Sequence, residues 1–128
     1  MKHWSISWKR SVKARKQRKF RFNAPLHIKK DFLHSHLATD LRKKHGIRSI
    51  GVRKGDKVKI MRGQYKGQSG KVERVDVKRE KIYVNGIELH KKDGSVIKIS
   101  IHPSNLLIQE MKLDDKKRNK ILERKKVK

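Results

Sequence analysis

The chain has 128 residues, and its 38 lysines and arginines face only 12 acids, a net charge of +26. Like charges at that density oppose compaction, so the chain calls for a polyanionic partner; a phosphate backbone is the first candidate and an anionic membrane surface the second. With 34% hydrophobic and 5% aromatic residues, only part of the chain can form a compact core. Cysteine is absent, which excludes disulfides and thiolate metal sites. No apolar run reaches the roughly 18–20 residues that span a bilayer, so no membrane span is expected. The first 23 residues are basic and acid-free, but too densely charged and too weakly amphipathic for a presequence, and a soluble cytoplasmic protein is the expectation.

Residues 1–24 read as a basic RNA-binding arm. Lys2, Lys9, Arg10, Lys13, Arg15, Lys16, Arg18, Lys19 and Arg21 meet no Asp or Glu there. Such a run repels itself and cannot bury a core alone, so it orders against nucleic acid. Trp4 and Trp8 stand four apart and either stack on a base or pack on a neighbour; the sequence does not choose. Residues 25–46 read as a short helical segment. Pro25 opens it, and Leu26, Leu33 and Leu37 share one helical face beside Ile28 and Phe32. A second helix is predicted over Thr39 to His45, closed by Gly46. Arg42 and Lys43 face outward.

From Ile47 the apolar period changes to two. Val58 and Ile60 alternate with lysines, Val72 and Val75 have the odd spacing of a bulge, and Ile82/Val84, Ile87/Leu89 and Ile97/Ile99/Ile101 follow. Asn85-Gly86 and Asp93-Gly94 read as turns, the first a tight one. Leu106 to Ile108 read as a last edge strand. Several short strands point to a small antiparallel barrel over residues 47–110. Residues 111–128 read as a basic C-terminal helix and tail, with Asp114 and Asp115 at its start and Lys125, Lys126 and Lys128 at its far end. Ile121 and Leu122 are its only apolar anchors, so it is expected to need a partner surface.

The stretch from Val52 to Val72, with Arg53, Lys54, Gly55-Asp56, Arg62, Gly63, Tyr65, Lys66, Gly67, Gly70 and Lys71, resembles a KOW motif. That motif is two strands of an SH3-like barrel joined by a glycine-containing loop. The loop offers cations and one aromatic ring to irregular RNA. Tyr65 reads equally well as a ring packed over the barrel edge. A nucleotide-binding P-loop fails on spacing: Gly70-Lys71 would require glycine at Tyr65 and Ser or Thr at Val72. His34 and His36 lack a third ligand, so no metal site is expected. His102, before Pro103, reads as a packing or RNA contact rather than a base. No catalytic residues, cofactor or small-molecule substrate are predicted.

Across nearly its full length the chain resembles the large-subunit ribosomal protein family numbered twenty-four in bacteria and archaea and twenty-six in eukaryotes. Four segments carry the resemblance: Arg15 to Lys19 with Asn23 to His27, Asp40 to Ser49, Val52 to Gly70, and Ile101 to Asn105 together with Leu113 to Lys125. Ala38 stands where Ser is usual and His45 where Tyr is common; the resemblance does not extend to the Trp4–Trp8 end. The resemblance implies a mainly β fold, an SH3-like barrel with short helices and basic extensions. It implies binding to the 5′ domain of large-subunit rRNA, early action in assembly, a position near the peptide-tunnel exit, and neighbouring ribosomal proteins as partners. Arg48, Ser104 and Asn105 join the expected RNA contacts. The alternative is a KOW-bearing transcription or regulatory factor, which would need a further α/β domain before the KOW.

Overall fold

The computed structural model describes residues 4–126. Lys2 and Lys128 lie outside the described residues, as do the side chains of Lys125 and Lys126. The architecture is mixed α/β. Four α-helices, α1 (Ala14–Asn23), α2 (Leu26–Lys29), α3 (Thr39–His45) and α4 (Lys116–Lys126), accompany seven strands. The strands are β1 (His34–Leu37), β2 (Ser49–Gly51), β3 (Lys57–Ile60), β4 (Ser69–Asp76), β5 (Lys81–His90), β6 (Val96–Ile101) and β7 (Leu106–Glu110). They form one mostly antiparallel sheet in the order β2-β1-β7-β3-β4-β5-β6, with β1 and β7 parallel.

Alternation places Val58, Ile60, Val72, Ile82, Val84, Leu106 and Ile108 in a single core. The expected irregularity at Val72 is present: the β4–β5 register shifts between Val72 and Arg74. The first part of β4 pairs with β3 and the second part with β5. Gly70 lies at the changeover, where a Cβ would stand 2.5 Å from the Asn85 carbonyl oxygen and 2.8 Å from Val84 Cγ1. It permits close approach of two backbones and is not a loop glycine.

Three expectations for the sheet region are corrected. Leu37 does not continue a helix; α2 and a 3₁₀ turn (Lys30–Leu33) give way to β1. The period of two was hidden because its middle buried position, Ser35, is polar, its hydroxyl donating to the Pro103 carbonyl at 2.6 Å. Asn85-Gly86 is not a hairpin turn. β5 runs through it with a register irregularity, Gly86 at φ +82, and Ile82, Val84 and Ile87 all buried. Finally, β7 is no edge strand but lies between β1 and β3.

The second predicted helix is found as α3, residue for residue. Gly46 follows at φ 65, its N–H donating to the Arg42 carbonyl at 2.8 Å. Ala38 gives it no side-chain cap. The arm carries more structure than its charge suggests. Lysine, arginine and glutamine favour α1, and Pro25 follows just beyond its end. Yet Arg15 and Lys19 repel at i,i+4, no acid occupies the first turn, and Phe20 is its only buried residue. Phe20 packs between Trp4 (ring centroids 5.0 Å apart) and Phe32 (6.2 Å), a cluster separate from the main core.

The C-terminal helix also needs no outside surface to rest on. Leu122 joins the main core, while Ile121 stays partly exposed. Arg118, which the sequence reading passed over, is buried against Asp56. Its Nη1 donates to Asp56 Oδ1 at 2.6 Å and its Nη2 to Oδ2 at 2.8 Å. The carboxylate also accepts from the backbone N–H of Arg53 and of Lys112. One aspartate thus joins the start of β3, the end of the sheet and α4.

Candidate nucleic-acid interface

Cations unmatched by acids are the raw material of the surface. Among the described residues six ion pairs form: Arg21–Glu80, Arg53–Asp115, Lys57–Glu110, Lys98–Glu73, Lys112–Asp114 and Arg118–Asp56. Of the predicted contacts, only Arg21 and Arg53 are drawn into them. Arg10, Lys13, Arg15, Lys16, Arg18 and Lys19 line the exposed surface of the arm.

The β3–β4 loop is closed at its base by two backbone bonds: Ile60 N–H to Gln68 O, and Gly67 N–H to Ile60 O, both 2.8 Å. Gly63 (φ +95) and Gly67 (φ +91) supply the left-handed conformations that the tight path requires. Arg62 and Lys66 stand exposed on it, and Lys71 is exposed at the start of β4. Tyr65 is half-buried against the core, its hydroxyl 3.4 Å from the Glu88 carbonyl. Packing accounts for the ring without RNA.

The 3₁₀ turn Pro103–Asn105 borders this loop, since the Asn105 carbonyl accepts from Met61 N–H at 2.8 Å. His102 caps the turn, with Nδ1 3.3 Å from Ser104 N and 2.8 Å from Ser104 Oγ. Burial, then the charges of Arg21 and Lys81, hold its pKa below the ordinary histidine value, against a smaller opposing effect of Glu80. His102 thus caps the turn through Nδ1, which accepts from the Ser104 N–H. Arg21 and His102 line one cleft between the arm and the body.

A groove beneath α4 gathers Arg53 and Lys54 with two residues the sequence reading missed, Lys30 and Arg74, over a partly apolar floor that includes Leu33, Val75 and Ile121. These cations come from separate parts of the chain, so no sequence window could show them together. Arg42 and Lys43 sit on α3, which packs beside α4. The Arg42 Nε donates to the Leu37 carbonyl at 2.6 Å and serves the fold, while Lys43 and Arg48 are exposed. Among the described residues no three His, Cys, Asp or Glu are placed to share a metal ion, and no helix is long and apolar enough to cross a membrane.

A family model that describes the eukaryotic ribosomal proteins L26 and their archaeal counterparts, numbered twenty-four, matches residues 11–125. The chain belongs to this ribosomal protein family. The large ribosomal subunit protein uL24 of Korarchaeum cryptofilum is 46% identical over 119 residues, covering 93% of this chain and 91% of that protein. The uL24 of Methanosphaera stadtmanae is 47% identical over 115 residues, 90% of this chain and 98% of its own length. As a member of this family the chain is a structural protein and not an enzyme. The family match begins at residue 11, after both tryptophans of the arm.

Proposed function

We propose that this chain binds the 5′ domain of large-subunit rRNA within the ribosome of the cytoplasm, acts early in subunit assembly and sits near the tunnel exit beside other large-subunit proteins. In this reading the seven-stranded sheet contains the SH3-like barrel of the KOW motif. The observation that carries it is the set of exposed cations outside the six ion pairs: those of the arm, Arg62, Lys66 and Lys71 around the β3–β4 loop, and Lys30, Lys54 and Arg74 at the groove under α4. Such surfaces follow an irregular phosphate backbone. A KOW-bearing regulatory factor has less support, because residues 14–51 contribute helices and two strands to the same sheet rather than a separate α/β domain.

Filter binding to a transcribed 5′-domain fragment and to an equally long 3′ fragment tests the assignment. The 5′ fragment should bind more tightly by at least about tenfold. Equal affinities would reject the domain assignment, and no affinity for either would reject RNA binding altogether.

The loop makes a narrower prediction. Gly67→Val forces a β-branched residue to a φ of +91, at a cost of about 1–3 kcal/mol. The loop should then shift and misplace Arg62 and Lys71 together. Lys66→Ala removes a single exposed cation among many and should cost little. Gly67→Val should therefore bind the 5′ fragment more weakly than Lys66→Ala does. The reverse order would mean that the loop acts through one lysine and not through its backbone shape.

A further inference from the structure

The two tryptophans of the arm differ in their surroundings. Trp4 is consumed by the fold: it stacks on Phe20, and its indole N–H donates to the Phe20 carbonyl at 3.1 Å. Trp8 lies in the 3₁₀ turn Ile6–Arg10 and keeps 37% of its surface exposed. It lines a recess of about 440 Å³ with Ser7, Ser11, Lys16 and Lys19. The recess is held together from both sides. The Gln17 side-chain amide donates to the carbonyls of Lys9 (2.7 Å) and Ser11 (2.6 Å), fastening the turn to α1. The Trp4–Phe20 stack fixes the chain just before the turn. Lys16 and Lys19 are three apart on α1 and so share a face.

One indole, two ammonium groups and two hydroxyls form the complement of a single nucleotide. An unstacked base finds a π surface. Its phosphate finds cations with no acid among residues 1–24 to oppose it. Hydroxyls give and accept hydrogen bonds at the ribose 2′-OH or the base edge. We propose that the Trp8 recess seats one unstacked nucleotide of single-stranded RNA. This rests on the RNA-binding reading above and adds a stacking site to it, built on a ring that lies before the family match and on cations within it.

The test uses the full-length chain carrying Trp4→Phe, which keeps a ring against Phe20 and leaves Trp8 as the only tryptophan. The probes are a labelled oligoadenylate and a ribose-phosphate oligomer of equal length without bases. Oligoadenylate should quench Trp8 emission strongly and the abasic oligomer only weakly. Adding Trp8→Ala should weaken oligoadenylate binding, read by anisotropy, by about tenfold, and leave abasic binding unchanged. Trp8→Phe should restore part of the loss, and circular dichroism should be the same for all variants. Trp8 emission that stays constant while anisotropy reports salt-sensitive binding overturns the nucleotide seat but leaves RNA binding standing. Absence of binding to both probes and to the rRNA fragments overturns both.

Discussion

Raising salt from about 50 to about 300 mM should lower the affinity of this chain for its rRNA fragment by about four to six decades. The chain's own acids neutralise little of the charge, and the arm from Arg10 to Lys19 keeps all of its cations exposed. Arg62, Lys66 and Lys71 around the β3–β4 loop and Lys54 at the groove add to them. Roughly ten phosphate contacts, each contributing about −0.7 to the slope of log affinity against log salt for single-stranded segments, give a drop of that size. Filter binding across a salt series measures the slope directly. A flat line would exclude phosphate neutralisation as the source of affinity. α1 should respond as well, since bound phosphate relieves the repulsion between Arg15 and Lys19 and should raise helical content on binding.

Arg118→Ala should destabilise the folded chain by about 3–5 kcal/mol, the usual cost of removing one partner from a buried ion pair. Arg118 and Asp56 are 2% and 0% exposed, so solvent cannot replace the lost contacts. Asp56→Ala should cost at least as much. It strands the buried guanidinium, which also donates to the carbonyls of Lys112 and Gly51, and it leaves the N–H groups of Arg53 and Lys112 without their acceptor. Urea unfolding of both variants gives the comparison. If Arg118→Ala unfolds at the parent's urea concentration, α4 is held by Leu122 alone and the ion pair contributes nothing net.

Much of this was legible in the residue pattern, and the exceptions have physical causes. α3 was readable because its stop signal, Gly46, is local and conformationally specific. β3 was readable because Lys57 to Ile60 alternate strictly. β5 was misjudged because Asn-Gly carries the same signal whether it turns a hairpin or bends a continuous strand; only pairing to β6 distinguishes the two. β1 was missed because a serine occupies a buried position by hydrogen bonding and not by hydrophobicity. Arg118 was hidden among the lysines of α4, and its partner lies 62 residues away. The same limit applies to the groove, whose cations converge only after folding, and to the tryptophans. An i,i+4 spacing suggests a shared helical face, whereas Ser5 caps a 3₁₀ turn that holds Trp8, and Trp4, ahead of that turn, stacks on Phe20.

The position of β7 has a consequence for the order of events during synthesis. Within the hydrogen-bonded ladder of the described residues, β1 and β2 reach β3 to β6 only through β7. Its partners are separated from it by very different lengths of chain: His36 pairs with Leu107, and Ile60 with Leu106. Until β7 has left the ribosome that is making it, the early strands and the KOW strands are joined by the connecting chain but not by the ladder. Joining sequence-distant strands is slow, because the entropy of closing the intervening chain is lost before any contact forms. The basic arm, by contrast, emerges before every strand of the sheet. On the proposed RNA-binding reading, a nascent copy is captured through its arm while its sheet is still in two pieces, and the last strand then sets the moment at which the captured chain becomes a rigid part of its surroundings.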